Sequence, residues 1–287
     1  MTSMENKYIL IADSGSTKTD WVVACEGKAS VRCFTQGINP FHQVQSQIMD
    51  ILKFELLATL ATHNISISLV TSIRFYGAGC RGEGVTIIQS VLESVFINAS
   101  TIIVRSDLMA AAHALCGNHE GIACILGTGA NSCLYDGNEI VSNVSPLGYI
   151  LGDEGSGAVL GRIFLNALFK GNLPRDMKDD FFHYSGMTMD DIIRRVYREP
   201  MANRWLASIS PFIHSHLFDK RIKNLVVGNF VDFFRKNVDH YKRNDLKVGA
   251  VGSVAYYYQE QLSDAAEQCG YRLGRIIKSP IDGLIGF

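Results

Sequence analysis

No window of the 287-residue chain offers the roughly 18 uncharged apolar residues that a membrane helix needs, so a membrane partner is not expected. Charge of one sign is lacking too. Lys plus Arg number 27 and Asp plus Glu 28, a net charge of −1, which argues against a broad basic surface for nucleic acid. The seven cysteines are scattered and never spaced Cys-x-x-Cys; they read as free thiols in apolar strands, as at Cys124 and Cys133, rather than as disulfides or zinc ligands. The opening "MTSMENKYIL" has no basic start, apolar core or small-residue cleavage site, and a cytoplasmic location is the expectation. Both common nucleotide fingerprints are missing. There is no G-x-x-x-x-G-K-[ST] loop and no G-x-G-x-x-G between a strand and a helix.

Hydrophobic residues make up 47% and charged residues 19%, enough for a substantial core. Tyr8–Ala12, Trp21–Cys25 and Ser30–Thr35 read as strands. Val44, Ile48, Ile51, Leu52 and Leu56 recur at helical spacing. The strand "LVTSIRFYGAG", a helix marked by Val85, Ile88, Leu92 and Val95, the strand "TIIVRS" and the helix "DLMAAAHAL" complete a β-β-β-α-β-α-β-α order. The pattern then restarts at "GIACILGTG", "NSCLYDG" and "EIVSNVS". Two similar α/β halves, 1–117 and 118–287, are the simplest account, the second carrying a polar helical insertion near 170–220.

The stretch "IADSGSTKTDWVV" breaks an apolar strand with small and polar residues. A Gly/Ser/Thr turn exposes backbone N–H groups and hydroxyls that wrap phosphate oxygens, and Lys18 adds charge. Asp13 is suited to hold Mg²⁺, since hard cations prefer carboxylate oxygens. An ordinary hairpin turn favours the same residue types. A second turn, "LGTGANS", sits at the matching place in the second half, which suggests that both halves face one nucleotide. "GAVGSVA" ends a later strand with Gly249, Gly252 and Ser253, small residues that let a base or ribose approach the backbone.

"DSGSTKT", "LGTGAN", "GDEGSG" and "GAVGSVA" occur in the order of the sugar kinase/hsp70/actin superfamily, and the chain most resembles its N-acetylglucosamine kinase group, related to the BadF/BadG/BcrA/BcrD-type ATPases. The resemblance implies two ribonuclease H-like domains, an actin-like ATPase fold, closing over ATP, Mg²⁺ and a sugar in an interdomain cleft. It assigns Asp13, Gly15 and Thr17 to the first phosphate motif, Gly127, Thr128 and Gly129 to the second, and Gly252 and Ser253 to adenosine; Ser16 and Lys18, in the same turn, are expected to join the first motif in holding the nucleotide. Asp107 matches the catalytic aspartate. Asn39, Asn131, Gly148 and Asp153 match sugar-binding positions. A homodimer is expected from the family alone.

Blander roles remain open for several of these residues. Asp107 stands where a strand meets a helix and suits an N-cap. Asp153 and Glu154 precede a helix and suit its dipole. His113 reads as a packed helix residue, and "HSH" at 214–216 lacks a third metal ligand. Two other functions compete with an ATP-dependent sugar kinase. One is an ATPase activator of a partner enzyme, whose [4Fe–4S] cluster needs placed thiolates, where only Cys80 in "GAGCRG" stands by a glycine turn. The other is a non-catalytic sugar sensor, for which the start of the phosphate turn at Asp13 is expected to leave no room for a DNA-binding segment.

Overall fold

The computed structural model describes residues 7–15, 18–25 and 28–287. The chain forms two compact units, Met1–Gly117 with Pro280–Phe287, and Asn118–Ser279. The sequence-based division left 280–287 in the second half; those residues pack with the first unit instead.

In unit 1, β1 (Tyr8–Ser14), β2 (Lys18–Cys25) and β3 (Lys28–Gln36) form an antiparallel meander. Helices α1 (Gln45–Ile51) and α2 (Leu57–Thr62) follow, joined by a π-helical turn, Leu52–Leu56. Then come β4 (Val70–Gly77), α3 (Glu83–Val95), β5 (Thr101–Ser106) and α4 (Asp107–Cys116). The sheet order is β3-β2-β1-β4-β5, with β1, β4 and β5 parallel. Ser14, Gly77 and Ser106 share one register row, so all three strands finish at one edge. Open α/β sheets bind ligands outside such carboxyl ends. Leu10, Trp21, Val23, Leu56, Ile73, Phe75 and Val91 fill the core between sheet and helices.

Unit 2 repeats the plan. Strands β6 (Glu120–Leu126), β7 (Ala130–Asp136) and β8 (Ile140–Ser142) form the meander. After α5 (Gly148–Leu151) and α6 (Gly157–Phe169), the insertion folds as α7 (Arg175–Ser185), α8 (Met189–Tyr197), α9 (Ala202–Ser208) and α10 (Ser210–Ser215). Thr188 and Asp191 form a capping box on α8. Next come α11 (Lys220–Lys236), β9 (Lys247–Val251), α12 (Ser253–Tyr257), α13 (Gln259–Gln268) and β10 (Arg272–Ile277). Between α12 and α13 the chain turns at Tyr258. The sheet order β10-β9-β6-β7-β8 is the order of unit 1 read backwards, strand for strand. Finally α14 (Ile281–Leu284) returns to unit 1, where Gly283 lies so near the Ala114 backbone that a Cβ would meet it at 2.6 Å.

All seven cysteines are free. Among the described residues no helix is long and apolar enough to cross a membrane.

Two glycines one helical turn apart, Gly157 and Gly161, let α9 lie directly on α6. A Cβ on Gly157 would stand 3.2 Å from the Ala207 Cβ, and one on Gly161 would run into the Leu206 carbonyl. Alanine's helix propensity would return about 1 kcal/mol at Gly161, but the obstacle is backbone rather than a flexible side chain. Gly161→Ala is therefore expected to cost a net ~1–2 kcal/mol of stability, read as a lower denaturant midpoint. An unchanged or raised midpoint would show that α9 can move away freely.

Candidate active site

In unit 1 the first turn leaves β1 at Ser14. The Gly15 N–H donates to the Lys18 carbonyl (3.0 Å), closing the hairpin. Ser16 and Thr17, expected to grip phosphate, lie outside the described residues. Lys18 is exposed, with Nζ 4.3 Å from the Phe34 ring centroid. Ser14, not among the expected site residues, is fully buried. Its Oγ accepts from the Ile38 N–H (3.0 Å), lies 2.9 Å from the Ile38 carbonyl and is 2.7 Å from Thr19 Oγ1. It thus ties the end of β1 to the loop that carries Asn39. Asn39 is buried, its Oδ1 accepts from the Phe41 N–H, and a Cβ on Gly79 would collide with that oxygen. Only glycine fits position 79, where φ is +81°.

Asp107 is the first residue of α4. The cap itself is Ser106, whose Oγ accepts from the Met109 N–H (3.3 Å), so the capping role left open for Asp107 is taken by its neighbour. Burial pushes the Asp107 carboxyl up, offset in part by the Leu108 N–H (2.9 Å) and the charge of Arg81. Asp13 is pushed up to about 7, first by burial, then by the charges of Asp107 and Asp20, with Lys18 and Arg32 pulling the other way. Asp20 is engaged by Arg32, which donates Nε (2.9 Å) and Nη2 (2.6 Å) and also reaches Asp282 (2.8 Å). Asp13 and Asp107 are thus hard oxygen donors, and the charge of Asp107 raises the cost of ionising Asp13. Such a pair suits Mg²⁺, which is held by one or two carboxylates together with phosphates and water. Among the described residues no three His, Cys, Asp or Glu side chains converge as an all-protein metal site.

Cys80 is buried, and burial together with Asp107 pushes its thiol up to about 12, the reverse of what a thiolate ligand needs. His113 is packed: it pairs with the Tyr76 hydroxyl (2.9 Å) and stacks on Phe287 (4.0 Å), and burial with Arg105 and Arg74 pushes it down to about 4.

In unit 2 the second turn is held from behind. The first N–H groups of α6 donate to it, Gly157 to the Gly127 carbonyl (2.8 Å) and Ala158 to the Thr128 carbonyl (3.1 Å). The Gly127 N–H closes on the Gly129 carbonyl (2.9 Å). Among the described hydrogen bonds the N–H groups of Thr128 and Gly129 have no acceptor. The Asp153 carboxylate sits against this turn. It accepts from the Ala130 N–H, and a Cβ on Gly129 would lie 3.1 Å from its Oδ2. Asn131 is the second residue of β7, its Oδ1 accepting from Asn143 Nδ2 (2.9 Å) and the Ser132 N–H (2.9 Å). Gly148 opens α5 at φ +75°. The "GDEGSG" loop is anchored by Asn229, a buried residue that the sequence pattern did not single out; its Oδ1 accepts from the Gly155 N–H (3.0 Å). Glu154 pairs with Lys236 (3.3 Å) rather than facing the turn.

Gly252 has φ +122°, and a Cβ there would strike the Leu126 carbonyl. The close approach that demands glycine is therefore to the end of β6. Gly127, Thr128 and Ser253 line one cavity of about 660 Å³ together with Arg204, Ser210, His214 and Tyr257, a size within the usual ~300–1,000 Å³ of small-molecule sites. The second phosphate motif and the adenosine motif thus meet in one cavity, and the insertion supplies its far wall. His214 Nε2 lies 3.1 Å from the Tyr257 carbonyl and His216 Nδ1 2.8 Å from the Phe212 carbonyl, which accounts for "HSH" without a metal.

No family model matches the chain. A crystal structure of a Porphyromonas gingivalis protein, provisionally described as an N-acetylglucosamine kinase, is 49% identical, spans 96% of this chain and 97% of its own, and superposes with a TM-score of 0.92. The chain belongs to the N-acetylglucosamine kinase-like family. An N-acetylmuramic acid/N-acetylglucosamine kinase of Clostridium acetobutylicum is 25% identical over 276 residues, 88% of this chain and 89% of its own. A ROK hexokinase of Thermus thermophilus shares the fold, with a TM-score of 0.53 at 15% identity over 97% of this chain and 96% of its own.

Asp153 gives this family member a measurable pH signature. Burial, with the nearby Glu154 charge, pushes its carboxyl up to about 6, the Ala130 N–H only partly opposing. An unfolded aspartate titrates near 3.9. Between these values the folded chain keeps a proton that the unfolded chain has released, so ionised Asp153 lowers stability as pH rises from about 4 to about 6, and the cost persists above 6. Asp153→Asn is expected to flatten that slope and to raise Tm at pH 8. An equal slope in both proteins, or a lower Tm for the variant at pH 8, would contradict it.

Proposed function

We propose that this chain transfers the γ-phosphoryl group of ATP to a hydroxyl of N-acetylglucosamine or a related amino sugar. The observation that carries the reading is the pairing of Asp13 and Asp107 at the carboxyl ends of parallel strands β1 and β5. Asp107 is the base. Burial raises its carboxyl above the usual aspartate range despite the Leu108 N–H and the Arg81 charge, so it takes the proton of an attacking hydroxyl more readily than a solvated aspartate would. Asp13 would hold Mg²⁺, which when bound supplies positive charge against the phosphates. Lys18 and the first turn contribute from unit 1. In unit 2 the Thr128 and Gly129 N–H groups hold phosphate oxygens, and Gly252 and Ser253 shape the adenosine end of the cavity. Asn39, Asn131, Gly148 and Asp153 bind the sugar, the carboxylate accepting from its hydroxyls. The reading places the protein in the cytoplasm, where ATP is available.

The amino-sugar class is supported by the names of the Porphyromonas and Clostridium proteins. A coupled ADP-release assay across hexoses, hexosamines and N-acetylated forms, N-acetylmuramic acid included, tests it. ADP release is expected to depend on an added acceptor and to be fastest with an N-acetylated one. Asp107→Asn is expected to lower kcat at least about 100-fold while ATP affinity stays within about twofold. Near-normal turnover in that variant would remove Asp107 from the role, and ADP release independent of any sugar would remove the kinase reading.

A further inference from the structure

The insertion near 170–220 has no part in the roles assigned above, yet its helices α9 and α10 wall the cavity that holds Gly127, Thr128 and Ser253. One of its residues there carries a guanidinium: Arg204, the third residue of α9. It is half-buried. Its Nη1 meets Met201 Sδ at 3.2 Å, a weak acceptor. Among the described ion pairs no carboxylate pairs with it. A partly desolvated guanidinium in a cavity without a counter-ion is a standing electrostatic cost unless an anion enters.

Its position is not left to a loose loop. Gly157 and Gly161 bring α9 onto α6 through Ala207 and Leu206. The first N–H groups of that same α6 fix the Gly127 and Thr128 carbonyls. The second phosphate turn and the helix that carries Arg204 are therefore both mounted on the first turns of α6. The far wall is also tied down, since the Tyr258 hydroxyl donates to the Ser210 carbonyl (2.6 Å) and His214 meets the Tyr257 carbonyl. Tyr257, Pro211 and Val254 give the cavity rings and apolar surface suited to a flat base. Arg204 supplies what phosphate needs, a planar fork of N–H donors.

We infer that Arg204 is a phosphate-binding residue of the nucleotide cavity, contributed by the insertion, and that it contacts phosphate oxygens of a nucleoside di- or triphosphate rather than the base. This rests on the proposal that the cavity takes ATP. The contact makes the insertion part of the nucleotide site and not only a surface elaboration.

Calorimetric titration of the full chain with Mg-ADP, Mg-ATP and adenosine tests it in wild type, R204Q and R204K. Loss of a charge-assisted hydrogen bond is expected to weaken ADP and ATP binding by about 10- to 100-fold in R204Q, with adenosine within about twofold of wild type. R204K is expected to recover part of the loss, since a point charge replaces the fork. Unchanged ADP affinity in R204Q would overturn the assignment. So would an equal loss for adenosine and ADP, which would put Arg204 at the base or make it merely structural. Should R204Q melt well below wild type, R204K decides: a loss for ADP with none for adenosine supports the contact, and wild-type affinity for ADP overturns it. If wild type binds none of the three ligands, the nucleotide reading itself fails and this inference with it, a result separate from the variant comparison.

Discussion

Two hydrogen bonds underlie the rest of unit 2: the Gly157 and Ala158 N–H groups of α6 donating to the Gly127 and Thr128 carbonyls. A helix N-terminus has unsatisfied donors, and a tight turn has carbonyls to spare. Joining them satisfies both and leaves the Thr128 and Gly129 N–H groups of the loop without an acceptor among the described hydrogen bonds. The same docking explains neighbouring glycines. Gly252 must be glycine because β9 hands over to α12 against the Leu126 carbonyl, and Gly155 because Phe233 of α11 stands 2.9 Å from where its Cβ would be. Asn229 then fastens the loop between turn and helix from the α11 side. Asp153, held against Gly129 and Ala130, is placed by this frame rather than by its own helix dipole.

Unit 1 solves a different problem. It gathers negative charge where three parallel strands end, and offsets it only in part. Arg32 is committed to Asp20 and Asp282, so it neutralises one neighbour of Asp13 without reaching Asp13 itself by hydrogen bond. The charge of Asp107 adds to burial in raising Asp13, whereas Asp107 itself is raised by burial alone. Burying these carboxylates costs stability, a pattern that recurs at functional sites.

Much of this could be read from the sequence, because local chemistry dictates it. Turns such as "LGTGANS" punctuate apolar strands, and the strand-and-helix order repeats, so the fold class and the placement of Asp107 at a strand end followed from short-range pattern. Other features arise only from long-range packing. Arg204 and His214 sit in an insertion whose periodicity announces helices but not what they face. Asn229 looks like any polar residue in a helix until its partner loop is known. Gly161 resembles a mere weak point in a helical pattern until the Leu206 backbone is seen packed against it. The return of α14 to α4 joins residues far apart in the chain, and no local pattern predicts it.

The central claim is that the second turn is a preorganised phosphate cradle, its carbonyls tied back and its N–H groups available. The most direct measurement follows the backbone amide resonances of Thr128 and Gly129 during titration with Mg-ADP and, separately, adenosine. Both amides are expected to shift saturably with Mg-ADP, and far less with adenosine. If resonances elsewhere in the cavity respond to Mg-ADP while those two stay in place, the turn does not hold phosphate and the account is wrong.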